Sequence, residues 1–324
     1  MRDIFDRFCI QKLTQRLKSP DKRREILEIF AIPPRAFEWF SFMEIISIVF
    51  GGLLFATGVI FFIAANWDSL GKFFKFFMVE ALILTSLAIW QLSKNELLRK
   101  ISLMVAFILL GGLLALIGQV YQSGADSWEL FFYWAVLGVF WVVAGRFEPL
   151  WVLWITITNL ALFLYLNSSF RVIFIPADSI LTLGLWNLLL LIAFEWARRL
   201  ELCSPRFLLR ILASAVVILL TIQTVISIFD KNSSYFLFFP IWFGGMAFYF
   251  WERDSYILSS LAFGFDVVIL SIVAKILFTI RGVDPIFAFF VMSVASISVA
   301  MFTINFIKTI NRDRILKGDD DVLL

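Results

Sequence analysis

Two carboxylates stand well inside apolar runs of this sequence, Glu80 and Asp266. A charge at bilayer depth is costly, and residues that carry one there mark ion paths, proton relays or pairs with a neighbouring helix. Both residues therefore point to coupling of a proton or a cation. Lys75, Glu195, Arg210 and Lys275 lie nearer the ends of such runs, where a long side chain can reach the interface. Asp266 and Lys275 are nine positions apart, on roughly opposite helix faces, so they do not pair with each other. A second set is polar and aromatic. Asn66, Trp67 and Asp68 follow one apolar run, and Gln119, Tyr121, Asp126 and Trp128 bracket a turn between two others. Side chains of these types can hold a small polar ligand. They also have structural uses: Gln bonds between helices, and Tyr and Trp sit at the membrane surface. Asp126 and Glu129 have the D-x-x-E spacing of a capping box, and Asp68 or Ser69 is placed to cap the following helix.

The elements that must position these residues are membrane helices. Hydrophobic residues make up 61% of the chain and charged ones 16%, against about 25% charged in soluble domains. That excess cannot be hidden in one core, so lipid must be the solvent for most of the surface. Ten runs are long enough to span: 45–65, 73–92, 101–121, 129–145, 150–166, 180–197, 207–229, 236–251, 256–278 and 286–308. The runs at 150–166 and 236–251 are short. Only Arg146-Phe147-Glu148-Pro149 separates the fourth from the fifth, which predicts a tight antiparallel hairpin. Backbone polarity requires all ten to be helical. The expected fold is an all-α integral membrane protein with about ten transmembrane helices.

Charge sets the orientation. With the N-terminus inside, 22 of the 28 Lys and Arg residues fall on the inner side and 6 on the outer, which places both termini in the cytoplasm. Residues 1–43 read as a short cytoplasmic, amphipathic helical segment broken at Ser19-Pro20-Asp21, with basic residues that suit an anionic leaflet. They do not read as a signal peptide. Residues 44–166 hold the first five spans, 167–308 the second five, and 309–324 a cytoplasmic tail. The tail's three aspartates, Asp319 to Asp321, read as a solvated acidic end.

Histidine is absent. That excludes His-based zinc sites, Ser-His-Asp triads and histidine-held haem. The two cysteines, Cys9 and Cys203, fall in segments placed in the cytoplasm and read as reduced. No paired acidic motif sits inside a run. The chain therefore reads as no enzyme, with no cofactor and no metal. Its cations are scattered through short loops, so it does not read as a nucleic-acid binder.

Gly51-Gly52-Leu53-Leu54 with Gly58 recurs as Gly111-Gly112-Leu113-Leu114 with Gly118, at an offset of 60 residues. Each copy runs on to a Trp and an Asp. Two crossings per unit would point both copies the same way, and neighbouring copies would bring their polar ends to one outer surface. Paired glycines also serve simple close packing of helices. Two stretches, GGLLFATGVIFFIAANWDSLGKFFK (51–75) and LIGQVYQSGADSWELFFYWAVL (116–137), carry a resemblance. They resemble the hallmark segments of a bacterial multipass membrane family catalogued as domain of unknown function 2157. Those segments are a glycine-rich first helix ending in A-A-N-W-D, and G-Q-x-Y-x-x-G-A-D-x-W-x-L-F before the fourth helix. The resemblance covers roughly the first half of the chain. It implies a multipass protein of the bacterial inner membrane and brings no established activity.

Two functional readings compete. One is a transporter-like protein, or one that handles a small ligand at its outer face, using Asn66, Trp67, Asp68, Gln119, Tyr121, Asp126 and Trp128 with Glu80 and Asp266 in the membrane. The other is a non-catalytic scaffold or assembly partner, in which glycine-rich helices pack against a membrane-protein partner or a second copy. The lipid bilayer is a partner in both. Five plus five spans would permit inverted halves, although no echo links the halves.

Overall fold

A computed structural model describes residues 36–122, 124–168, 177–200, 206–230, 238–252, 254–280 and 284–316. Those residues form ten helices and no strand. They are α1 (Ala36–Ala65), α2 (Lys72–Leu92), α3 (Glu96–Tyr121), α4 (Ser127–Gly145) and α5 (Glu148–Asn167). Then come α6 (Ala177–Arg199), α7 (Arg206–Asp230), α8 (Phe238–Glu252), α9 (Ser255–Thr279) and α10 (Pro285–Leu316). Most of the segment 1–43 and of the tail lies outside the described residues, as does Cys203.

Nine of these helices are long and apolar enough to cross a membrane. The exception is α8. It has 15 residues, which makes about 22 Å at 1.5 Å per residue, short of the roughly 30 Å of a hydrocarbon core. The eighth expected span, 236–251, is thus met, among the described residues, by a helix shorter than a full crossing.

By contact the chain divides into two units, residues 1–51 with 312–324, and residues 52–311. In the first, the described helical residues include an edge-on ring pair, Trp39 and Phe42, at 5.9 Å. The second holds the packed helices, and two of them act as pillars. In α3, residues 101–109 are all buried, the sign of a helix apolar on every side and enclosed by neighbours. α2 and α4 flank it. α7 is the other pillar. Leu208, Leu212, Val216 and Leu220 on it share a core with Phe194 of α6, Trp242 of α8 and Leu261 of α9.

Glycines set the approach distances around α3. A Cβ added at Gly111 would lie 2.5 Å from the Trp134 ring of α4, and one added at Gly138 of α4 would collide with the Phe107 ring of α3. Each helix thus gives up a side chain to seat the other's aromatic ring, and the Trp134 Nε1 donates to the Phe107 carbonyl at 2.8 Å. Small residues of this kind let backbones close in where lipid gives no hydrophobic drive. Gly52 of α1 faces Ile101 of α3, and Gly112 of α3 faces Ile60 of α1. Contacts that advance together along both helices mean that α1 and α3 run parallel and side by side. Their polar ends, Asn66–Asp68 and Gln119–Gln122, therefore leave the bundle on the same side.

Arg146 adopts a left-handed conformation (φ 43°) at the end of α4, and Pro149 opens α5 within its first turn. This is the tight hairpin expected there. The helix caps differ from expectation. Asp126 is the N-cap of α4, yet its side chain makes no capping bond, and only its carbonyl receives the Glu129 N–H at 3.1 Å. The N-cap of α2 is Gly71 rather than Asp68 or Ser69. Side-chain caps occur at Asn95, which accepts from the Leu97 and Leu98 N–H groups, and at Asp254, which accepts from those of Tyr256 and Ile257.

Candidate functional site

α2 presents two stripes. Lys75, Val79, Ile83 and Ser86 are its buried residues, at steps of four, four and three, the spacing of one helix face. Phe73, Phe76, Phe77 and Glu80 repeat at steps of three, one and three on a second face. On α3, Leu113, Ile117 and Tyr121 repeat every four residues. The second face of α2 and this face of α3 line a cavity of about 470 Å³. Its size falls within the roughly 300–1,000 Å³ of small-molecule sites. The Phe76 and Tyr121 rings meet at 6.1 Å across it. Tyr121 is 67% exposed, so the cavity is an open groove.

Glu80 is the acidic group of this groove. It is exposed rather than enclosed, and among the described residues it makes no hydrogen bond or ion pair. It is the ninth residue of α2, about 12 Å along the helix from its start. The sequence-based expectation of a carboxylate inside a span holds, and its surroundings are aromatic. The groove unites two residues singled out separately from the sequence, Glu80 and Tyr121.

The other candidates are placed apart from it. The Asn66 Nδ2 donates to the Phe62 carbonyl at 2.9 Å, and the Asn66 carbonyl accepts from the Ser69 hydroxyl at 3.0 Å, so Asn66 ends α1 and shapes the turn. Trp67 takes the Lys75 ammonium 3.5 Å from its ring centroid. Lys75 is only 5% exposed, so its charge is turned inward onto an aromatic face instead of reaching the water. Asp68, Gln119 and Asp126 are exposed and make no side-chain bond among the described residues. Trp128 packs edge-on against Tyr165 at 5.0 Å. The two rings line a second cavity of about 570 Å³ with Trp154 and Trp186, and its lining is almost wholly carbon. Asp266 lines neither cavity. It is half-buried and accepts a 2.7 Å hydrogen bond from the Thr303 hydroxyl of α10, so it serves as an interhelical tie.

Residues 14–151 match a family model described as "Predicted membrane protein (DUF2157)". The match takes in α1 to α4 and hence the whole Glu80 groove. It stops in the first turn of α5. No curated protein and no solved structure matches the chain. The protein is a membrane protein with multiple spans.

Sequence reasoning missed a network at the far ends of α6 and α8. Glu195 is 7% exposed and accepts from the Tyr249 hydroxyl at 2.9 Å and from the Arg198 Nε at 2.8 Å. Arg198 also bonds Glu252, which takes Arg199 at 2.9 Å. Arg210 of α7 pairs with Asp254 at 3.2 Å. In the middle of the bundle Asn159 and Asn187 exchange amide hydrogen bonds of 3.2 and 2.6 Å. Apart from Arg198 and Glu195, an i,i+3 pair, these partners are 28 to 54 residues apart in sequence, so no local pattern announces them. The Lys275 ammonium likewise turns to the Ile228 carbonyl. Among the described residues no group of three or more Cys, Asp or Glu is gathered as for a metal ion.

Proposed function

We propose that this chain is a non-enzymatic, ligand-handling protein of the bacterial inner membrane, and that it captures a small ligand in the groove between α2 and α3. One observation carries the reading: Glu80, an unbonded carboxylate within a span, shares an open cavity with Tyr121 and three Phe rings. An unpaired charge in a span costs free energy that structure alone gives no reason to keep. Counted with α8 as a tenth crossing, the Lys and Arg distribution supports cytoplasmic termini, which puts the Tyr121 end of the groove on the outer side. The arginine-rich ends of α6 and α7 then face the cytoplasm.

The test is a small-molecule screen on purified protein in dodecyl maltoside, read by thermal unfolding. Compounds that raise the Tm of the parent should lose the effect in Glu80→Gln and in Tyr121→Ala. The reading fails if every stabilising compound acts equally on both variants. Orientation is checked separately in intact cells. An impermeant maleimide should label Asp68→Cys and leave Cys9 and Cys203 unlabelled, and the reverse pattern would invert the topology.

The scaffold reading rests on α10. Its apolar residues Phe289, Phe290, Ile297 and Phe302 are exposed, as a helix that docks on another membrane protein requires. Recovery of a stable complex that is lost on changing Phe290 and Ile297 to Ala, with no Glu80-dependent ligand, would favour it.

A further inference from the structure

We propose that the ligand class of the Glu80 groove is an organic cation with an apolar body. This deepens the reading above and rests on it. Three features of the groove set the chemistry. Its acidic group is a single carboxylate with no bonded partner among the described residues. An anion would meet that charge, whereas a cation supplies the missing partner. Second, the walls are aromatic: Phe73, Phe76 and Phe77 on one side and Tyr121 opposite. Aromatic faces attract cations most strongly where water is scarce, and quaternary ammonium ligands are recognised in this way. Third, the remaining lining residues, Leu113 and Ile117, are aliphatic, which suits a ligand whose charge is carried on hydrocarbon.

The nearest basic residues on α2 do not fill this role. Lys75 lies on the buried stripe with its ammonium over Trp67. The Lys72 ammonium lies 5.1 Å from the Phe73 ring centroid, a full two turns before Glu80. Neither is paired with Glu80. The groove opens on a face where Phe73 and Phe77 are exposed, so a ligand dissolved in the bilayer reaches it sideways. The charge of a lipid ammonium stays in the headgroup layer beside its phosphate. Glu80, about 12 Å down the helix, selects a cation that can leave that layer.

Three probes of similar size separate charge from shape: tetraphenylphosphonium (cation), triphenylphosphine oxide (neutral) and tetraphenylborate (anion). Binding of each to the full chain in dodecyl maltoside is measured by equilibrium dialysis. The cation should bind at least about tenfold more tightly than either other probe. Glu80→Gln should erase that preference, and an unfolding free energy equal to the parent's, measured without probe, shows that the variant is folded. Tyr121→Ala should weaken the cation and the neutral probe together. Equal binding of cation and anion by the parent, or a cation preference that survives in Glu80→Gln, overturns the cation assignment. If the neutral probe still binds in a Tyr121-dependent way, the ligand-handling reading stands without it. If no probe depends on Glu80 or Tyr121, both fall.

Discussion

Glu80 on α2 and Glu195 on α6 are both carboxylates on apolar helices, and they end in opposite electrostatic situations. Glu195 is buried and held by Tyr249 and Arg198, with Arg198 shared by Glu252. Glu80 is open and unbonded among the described residues, with rings around it. The difference teaches where binding energy is available. A buried carboxylate whose bonds are all made holds helices in register, and breaking one partner leaves a stranded charge. A carboxylate without bonds contributes little to the fold and keeps its interaction energy for something that arrives from outside.

The sharpest way to break this contrast is at Arg198. Arg198→Ala takes the guanidinium from Glu195, which keeps the Tyr249 hydroxyl, and leaves Glu252 with Arg199, and we expect a loss of about 3 kcal/mol, the low end for a buried pair because the guanidinium still reaches water. Reversible unfolding in mixed micelles measures it. A loss no larger than that of an exposed lysine would remove the network from the account. Next in size is the glycine–aromatic contact of α3 and α4. Gly138→Ala forces the Phe107 ring to shift against Trp134, and the overpacking should cost about 1–3 kcal/mol in the same assay. Gly51→Ala, at a position with open space around its Cβ, is the control that should not destabilise the protein. The smallest contrast concerns caps. Asn95→Ala should cost about 1 kcal/mol because two N–H groups lose their acceptor. Asp126→Ala, whose side chain caps nothing, should stay within about 0.5 kcal/mol of the parent. Equal effects at the two sites would mean that the capping box forms after all.

The helices were legible because hydropathy alone decides them. The run 150–166 became Glu148–Asn167, and 101–121 became Glu96–Tyr121, extended only at a polar start that Asn95 caps. The tight hairpin at Arg146 followed from loop length. The shared direction of α1 and α3 was anticipated from the repeated glycines, and the structure adds that the two are neighbours. What failed was local pattern without backbone direction. Asp126 and Glu129 have the right spacing, but the chain enters α4 from Gln122 and Gly124, both left-handed, and the Asp126 side chain makes no bond to the helix. Lys75 was placed near enough to a run end for its side chain to reach the interface, and its ammonium lies over Trp67 in the turn before α2. Of the groove, Glu80 and Tyr121 were visible as residue types. Their meeting was not, because it depends on which faces of α2 and α3 oppose each other. The Glu195 network was invisible for the same reason, since its partner helix lies more than fifty residues away.

One comparison tests the central claim most directly: the unfolding free energies of Glu80→Gln and Glu195→Gln, measured side by side without ligand. An open, ligand-facing Glu80 predicts a change within about 0.5 kcal/mol for Glu80→Gln, against a loss of about 3 kcal/mol for Glu195→Gln. A loss at Glu80 as large as that at Glu195 would show that both carboxylates hold the fold together, and would contradict the account.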